Sequence, residues 1–116
     1  MRRGELWTAA AGAGYAGKPR PVAIVQDDRF DLTDSVTICP LTTDPTAAPL
    51  LRLIVEPTER NGLRLPSSLM VDKVTTVRRA KLGETLGRLS SRDMVRLDRA
   101  LAVFLGLAGS GRQRPA

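Results

Sequence analysis

The chemistry open to this chain is narrowed first by what it lacks. Its 116 residues include no histidine and a single cysteine, Cys39. No Ser-His or Cys-His nucleophile can therefore form, nor any imidazole acid–base pair. A zinc site, which draws several ligands from cysteine and histidine, is excluded by the same counts, as is an internal disulfide. An enzyme made from this sequence must work with arginine, lysine, carboxylates, hydroxyls or its one tyrosine, Tyr15. No cofactor is called for. Eighteen lysines and arginines against twelve aspartates and glutamates leave a formal charge of +6. A small basic domain points first to a polyanionic partner, namely RNA, DNA or an acidic protein. A basic surface that serves solubility alone is the rival reading.

The elements that must carry such groups read as mainly β. The length suits one domain, expected over residues 1–108, with a polar tail at 109–116 expected to be disordered. Aromatic residues are only 3% of the chain, so the core must be built from Val, Leu, Ile and Ala. At this size dimerisation would add useful stability. No apolar run approaches the roughly 18 residues of a membrane span. The start, Met1-Arg2-Arg3-Gly4-Glu5-Leu6-Trp7, lacks the apolar stretch of a signal peptide. A soluble, cytoplasmic protein that binds no membrane is expected, and the lone cysteine fits a reducing compartment.

Strands are expected at 4–8, at the continuous apolar run Val22-Ala23-Ile24-Val25, at 36–39 running up to Pro40-Leu41-Thr42-Thr43, at 51–55, at 69–77 as one strand, and at 85–89. Loops fall at the Gly-rich stretch 9–17, at 26–34 and at the proline-bearing 44–49. Met94, Leu97, Leu101 and Leu105 recur at helical spacing behind a capping Ser90 or Ser91. Several short strands and one terminal helix suggest a small, partly open β-barrel with a helix packed on it.

With these elements in order, the chain resembles the MazF/Kid (PemK-like) toxins of bacterial toxin–antitoxin systems over residues 2 to about 107. The resemblance rests on Arg3-Gly4-Glu5-Leu6-Trp7, on a Gly-rich loop leading to Arg20-Pro21-Val22, and on a strand from Val36 to Leu41 ending in Thr42-Thr43. Val71-Asp72-Lys73-Val74, Leu86-Gly87-Arg88-Leu89-Ser90 and the terminal helix complete it. It implies an SH3-like barrel with a C-terminal helix, a homodimer, metal-free sequence-specific cleavage of single-stranded RNA, and inhibition by an acidic, MazE-like antitoxin. It also implies Arg20 and Thr42 as the catalytic pair.

The chemistry is workable with those groups. RNA carries its own nucleophile, the 2′-hydroxyl beside the scissile phosphate, so the protein need only orient it and stabilise the charge on the phosphoryl oxygens. A guanidinium fork matches two such oxygens, and Pro19 and Pro21 stiffen the backbone around Arg20. Thr42 can donate to a phosphate oxygen or meet the 2′-hydroxyl, or it can satisfy a turn, leaving Thr43 as the partner. Asp72 matches an aspartate near the Kid centre. It is read either as a base or RNA contact or as a solvated carboxylate, and Met70 stands where the Kid branch carries arginine. Lys73 and Lys18 are candidate RNA contacts. Tyr15 either stacks on a base or anchors its loop. The cluster Arg78-Arg79-Ala80-Lys81 either lines the groove or is a solvated face. Two alternatives stay open: a CcdB-like gyrase poison on the same barrel, and a non-catalytic nucleic-acid-binding barrel.

Overall fold

A computed structural model describes residues 1–10, 19–44 and 51–107, so Tyr15, Lys18 and the tail at 109–116 lie outside the described residues. Within them, the strands β1 (Glu5–Ala9), β2 (Arg20–Ile24), β3 (Ser35–Thr42), β4 (Arg52–Val55), β5 (Ser67–Met70), β6 (Thr75–Arg78) and β7 (Leu82–Arg88) precede one helix, α1 (Ser91–Phe104). All pairings are antiparallel, in the order β4-β5-β3-β2-β1-β7, with β6 also on β3.

β3 is the strand on which the others assemble. Along one edge its Ile38, Cys39 and Pro40 pair with Ile24, Ala23 and Val22 of β2. Its other edge is shared: Ser35 to Ile38 meet β6, while Leu41 and Thr42 meet β5. The single strand expected at 69–77 is thus two strands, separated by a 3-10 turn at Val71–Lys73. Pro40 sits opposite the break. It has no N–H, so an unbroken ladder through this point would lack a donor.

Alternation with a period of two then sorts the side chains. Leu6, Ala23, Cys39, Leu41, Leu69 and Val55 face one side, where Leu97 of α1 and Val71 join them in the main core. Ala9, Val22, Ile24, Val36 and Ile38 face the other side and form a second cluster with Trp7 and Val77. The run Val22-Ala23-Ile24 is buried on both faces, as its unbroken apolar character requires.

α1 starts as expected. Ser90 accepts from the Asp93 N–H (3.1 Å), and Asp93 lies in the first turn, where a carboxylate suits the helix dipole. Leu97 is wholly buried, and Met94 and Leu101 pack against the same core. Leu105 instead caps the end of the helix and is 54% exposed, so the apolar stripe closes at Leu101. α1 also rests on the Val71–Lys73 turn and on β4, where Arg96 donates to the Ile54 carbonyl at 2.9 Å. No described helix is long and apolar enough to cross a membrane.

The barrel is open between β4 and β7, and the turn after β4 bridges the gap. Arg88 N–H donates to the Arg60 carbonyl (3.0 Å). Buried Asn61 shapes that turn, accepting from the Thr58 and Leu63 N–H groups and donating to the Glu56 carbonyl. The Arg-Gly-Glu-Leu-Trp stretch is structural: Arg3 ties β1 to the Val25 carbonyl (2.9 Å) and to Asp98 of α1, and Trp7 donates to Glu5 (3.0 Å).

Gly62, at φ +71, lies so close to β7 that a Cβ there would strike the Leu86 carbonyl oxygen. Gly62→Ala is therefore expected to cost about 3 kcal/mol or more, left-handed strain of about 1–2 kcal/mol plus a backbone clash. Gly106, at φ +75 with nothing within 4 Å, should lose only the strain as Ala, about 1–2 kcal/mol. Chemical denaturation of both variants measures the difference, and equal losses would show that the approach to β7 carries no weight.

Candidate active site

The second face of the sheet opens into a cleft of about 770 Å³. Ala9, Val22, Ile38, Met70 and Val77 make an apolar floor, and Arg20, Thr42, Thr43, Asp44, Arg52 and Lys73 stand around it. The same alternation that builds the core puts them there, since residues of one parity on neighbouring strands share a face.

Arg20 opens β2, half-buried and opposite Ala9 of β1. The last pair between β2 and β3 is Val22 with Pro40. Continued past its last pair, that register runs from β2 towards Arg20 and from β3 towards Thr42, and both residues line the cleft. Thr42 ends β3, and its Oγ1 accepts from the Asp44 N–H at 3.1 Å. The turn-satisfying role is thus real, but it uses the oxygen only as an acceptor and leaves the O–H proton to donate into the cleft. Thr43 also lines the cleft but lies beyond the strand, where no ladder fixes it.

The break in the β5–β6 strand delivers the remaining candidates. Lys73, at the end of the 3-10 turn, is exposed on the cleft wall. Asp72 is not a solvated carboxylate. It is ion-paired with Arg52 of β4, the two side chains being 28% and 12% exposed. Arg52 stands directly opposite Met70, so a guanidinium does occupy this corner, brought by the neighbouring strand. Sequence reasoning missed it. The available signal was one charge interrupting the apolar run Leu51-Arg52-Leu53-Ile54-Val55, and only the β4–β5 register says where that charge goes.

Other candidates lie elsewhere. Arg78, Arg79 and Lys81 are not part of the cleft wall; Arg79 fastens the 26–34 loop by donating to the Thr33 and Phe30 carbonyls. Among the described residues no group of three or more Cys, Asp or Glu is placed to hold a metal ion. Cys39 is wholly buried on the core side. Burial, reinforced by the nearby Asp72 charge, pushes its thiol up to about 12. It is a small core residue and no nucleophile.

The sequence profile of the PemK-like, MazF-like toxins of type II toxin–antitoxin systems matches residues 2–105. A probable endoribonuclease MazF of Mycolicibacterium smegmatis is 63% identical over 109 residues, 94% of this chain and all of that protein. Among solved structures, a mycobacterial endoribonuclease in complex with its cognate antitoxin superposes with a TM-score of 0.76 at 27% identity, covering 93% of this chain and 97% of that one. A MazE–MazF structure from Deinococcus radiodurans also gives 0.76, at 16% identity over 93% and 98%, and shares the fold.

The buried thiol makes two expectations. At pH 8 the native protein should not react with a disulfide reagent, whereas the unfolded chain should react with one equivalent. The unfolded thiol releases its proton near 9.0 and the folded one only near 12, so protonation favours the folded state. That stability is fully present below about pH 9 and is lost as pH rises towards 12. Rapid labelling of the native protein would contradict both.

Proposed function

The chain belongs to the PemK-like, MazF-like family of type II toxin–antitoxin toxins, and we propose that its cleft cuts single-stranded RNA, with Arg20 and Thr42 as the reacting pair. The observation that carries this reading is a single cleft lined by both a half-buried guanidinium and a threonine hydroxyl, with further cations on its rim. A phosphate seated between them receives two parallel hydrogen bonds from the Arg20 fork and one from Thr42. The attached 2′-hydroxyl then attacks phosphorus, losing its proton to water, and the P–O5′ bond breaks as the departing O5′ takes a proton from water, leaving a 2′,3′-cyclic phosphate and a 5′-hydroxyl. As the bond forms, negative charge gathers on the oxygens that Arg20 and Thr42 hold, which is where fixed donors lower the barrier. A guanidinium fork and a hydroxyl make these hydrogen bonds without giving up a proton.

The relatives' names fit. The M. smegmatis protein is named a probable endoribonuclease, and the mycobacterial neighbour was solved with its cognate antitoxin. On that likeness the chain acts in the cytoplasm as a homodimer, slows growth by cutting transcripts, and is held inactive by an acidic, MazE-like antitoxin. The cleft rim suits such a partner, for Arg20, Arg52 and Lys73 present cations that carboxylates can cover.

Arg20→Ala and Thr42→Ala should each lower kcat/KM on single-stranded RNA by about 10²–10³-fold, with circular dichroism unchanged. Thr42→Ser should keep most activity. RNA left intact by the wild type, with or without a chelator, would remove the assignment. Antitoxin binding should weaken as salt rises and should block cutting; cutting by the saturated complex would contradict an inhibitor seated on this rim.

A further inference from the structure

We infer that Arg52 is a second substrate-binding residue of the cleft, holding a pair of adjacent acceptor atoms on the RNA beside the scissile phosphate, and that Asp72 acts through it as a positioning residue. This rests on the RNA-cutting reading above.

The argument begins with what each guanidinium nitrogen does. Arg52 Nη1 donates to two acceptors, the Leu51 carbonyl at 3.1 Å and the Asp72 carboxylate. Nε and Nη2 meet no acceptor among the described residues. No fully buried side-chain nitrogen among the described residues lacks a partner, so that edge of the fork keeps some exposure, on a side chain that lines the cleft. A guanidinium anchored through one nitrogen presents the other two as a fixed, parallel pair of donors. Such a pair fits two acceptors on one planar edge or one tetrahedral group.

Position agrees. β4 lies two strands from β3, about 10 Å at ordinary sheet spacing. An extended RNA strand whose scissile phosphate sits at Arg20 and Thr42 brings its neighbouring nucleotide to that distance. The apolar floor beside Arg52, with Met70 directly opposite it, leaves the donors poorly hydrated, and an incoming acceptor pair therefore gains more from them than at an open surface. Two sources supply the required edge: phosphate oxygens of the next backbone unit, or O6 and N7 of a guanine. Asp72 is committed to Nη1, so its contribution is to fix the plane of the fork. An ion pair at this depth adds little net stability of its own.

Binding is measured first, with fluorescent 2′-O-methyl RNA 12-mers of mixed sequence, which lack the attacking hydroxyl and report occupancy whether or not the chain cuts. Arg52→Ala should weaken binding roughly tenfold. Arg52→Lys, which keeps a charge beside Asp72 and so guards against misfolding, should lose most of the same factor. Cutting should suffer mainly in KM. If the acceptors are phosphate oxygens, the slope of log K against log salt falls by about 0.7 in Arg52→Ala. If they are a guanine edge, the slope holds and the cleavage positions in a long transcript shift. Either result supports the inference. Asp72→Asn should weaken binding in the wild type and have no further effect on binding or cutting in the Arg52→Ala background. Wild-type binding and cleavage positions in both Arg52 variants would overturn the proposal, as would an Asp72→Asn loss that is just as large without Arg52. A wild type that cuts nothing, while Arg52→Lys still loses binding, would sink the nuclease reading alone.

Discussion

The molecule depends on the antiparallel register between β2 and β3. Three pairs, Val22 with Pro40, Ala23 with Cys39 and Ile24 with Ile38, are enough to fix it. A slip of one residue would turn Ala23, Cys39 and Leu41 away from the main core and leave Val22 and Ile38 in their place. Both faces of this pair are buried, so such a slip finds no compensating arrangement. The same register reaches outward to the strand ends, where Arg20 opens β2 and Thr42 closes β3 on the wall of one cleft. Core packing therefore holds the proposed pair in place: the groups that would do chemistry are fixed by groups that do none.

Pro40 adds a second constraint on the other edge of β3. By interrupting the ladder it lets the chain between β5 and β6 leave the sheet for one 3-10 turn. That excursion places Asp72 within reach of Arg52 and puts Lys73 on the cleft wall. Val71, in the same turn, is wholly buried under α1. One short irregular segment is thus pinned to the core from beneath and carries two charged groups above. The helix supports the site without lining the cleft.

Much of this was legible in the residues. The double-faced strand at Val22 to Ile24, the alternating β3, the Ser90 cap and the buried Leu97 each follow from a local pattern with one dominant cause. What escaped is whatever depends on pairing between distant segments. A stretch rich in β-branched residues from 69 to 77 reads as one strand, because the proline that breaks it lies some thirty residues earlier in the chain, on the partner strand. Arg52 escaped for the same reason: alone it is a charge at the start of an apolar run, and only its register with Met70 gives it a place in the cleft. Conversely, the Arg-Gly-Glu-Leu-Trp stretch, prominent in sequence, serves the frame. Arg3 spends its donors on Val25, and on Asp98 across the barrel.

A cleft without histidine also carries a consequence for how charge is handled. Arg20, Arg52 and Lys73 set a positive field on the cleft, and the chain has no imidazole that would switch near neutrality. Of the two carboxylates close to that field, Asp72 is occupied by Arg52, and Asp44 stands exposed on the rim, its backbone N–H bound to Thr42. The arrangement is suited to control by occupancy. A polyanion that covers the rim removes the field, the fork and the hydroxyl together. For a chain whose charge is +6, occlusion by an acidic segment is the mode of regulation that its own electrostatics favour.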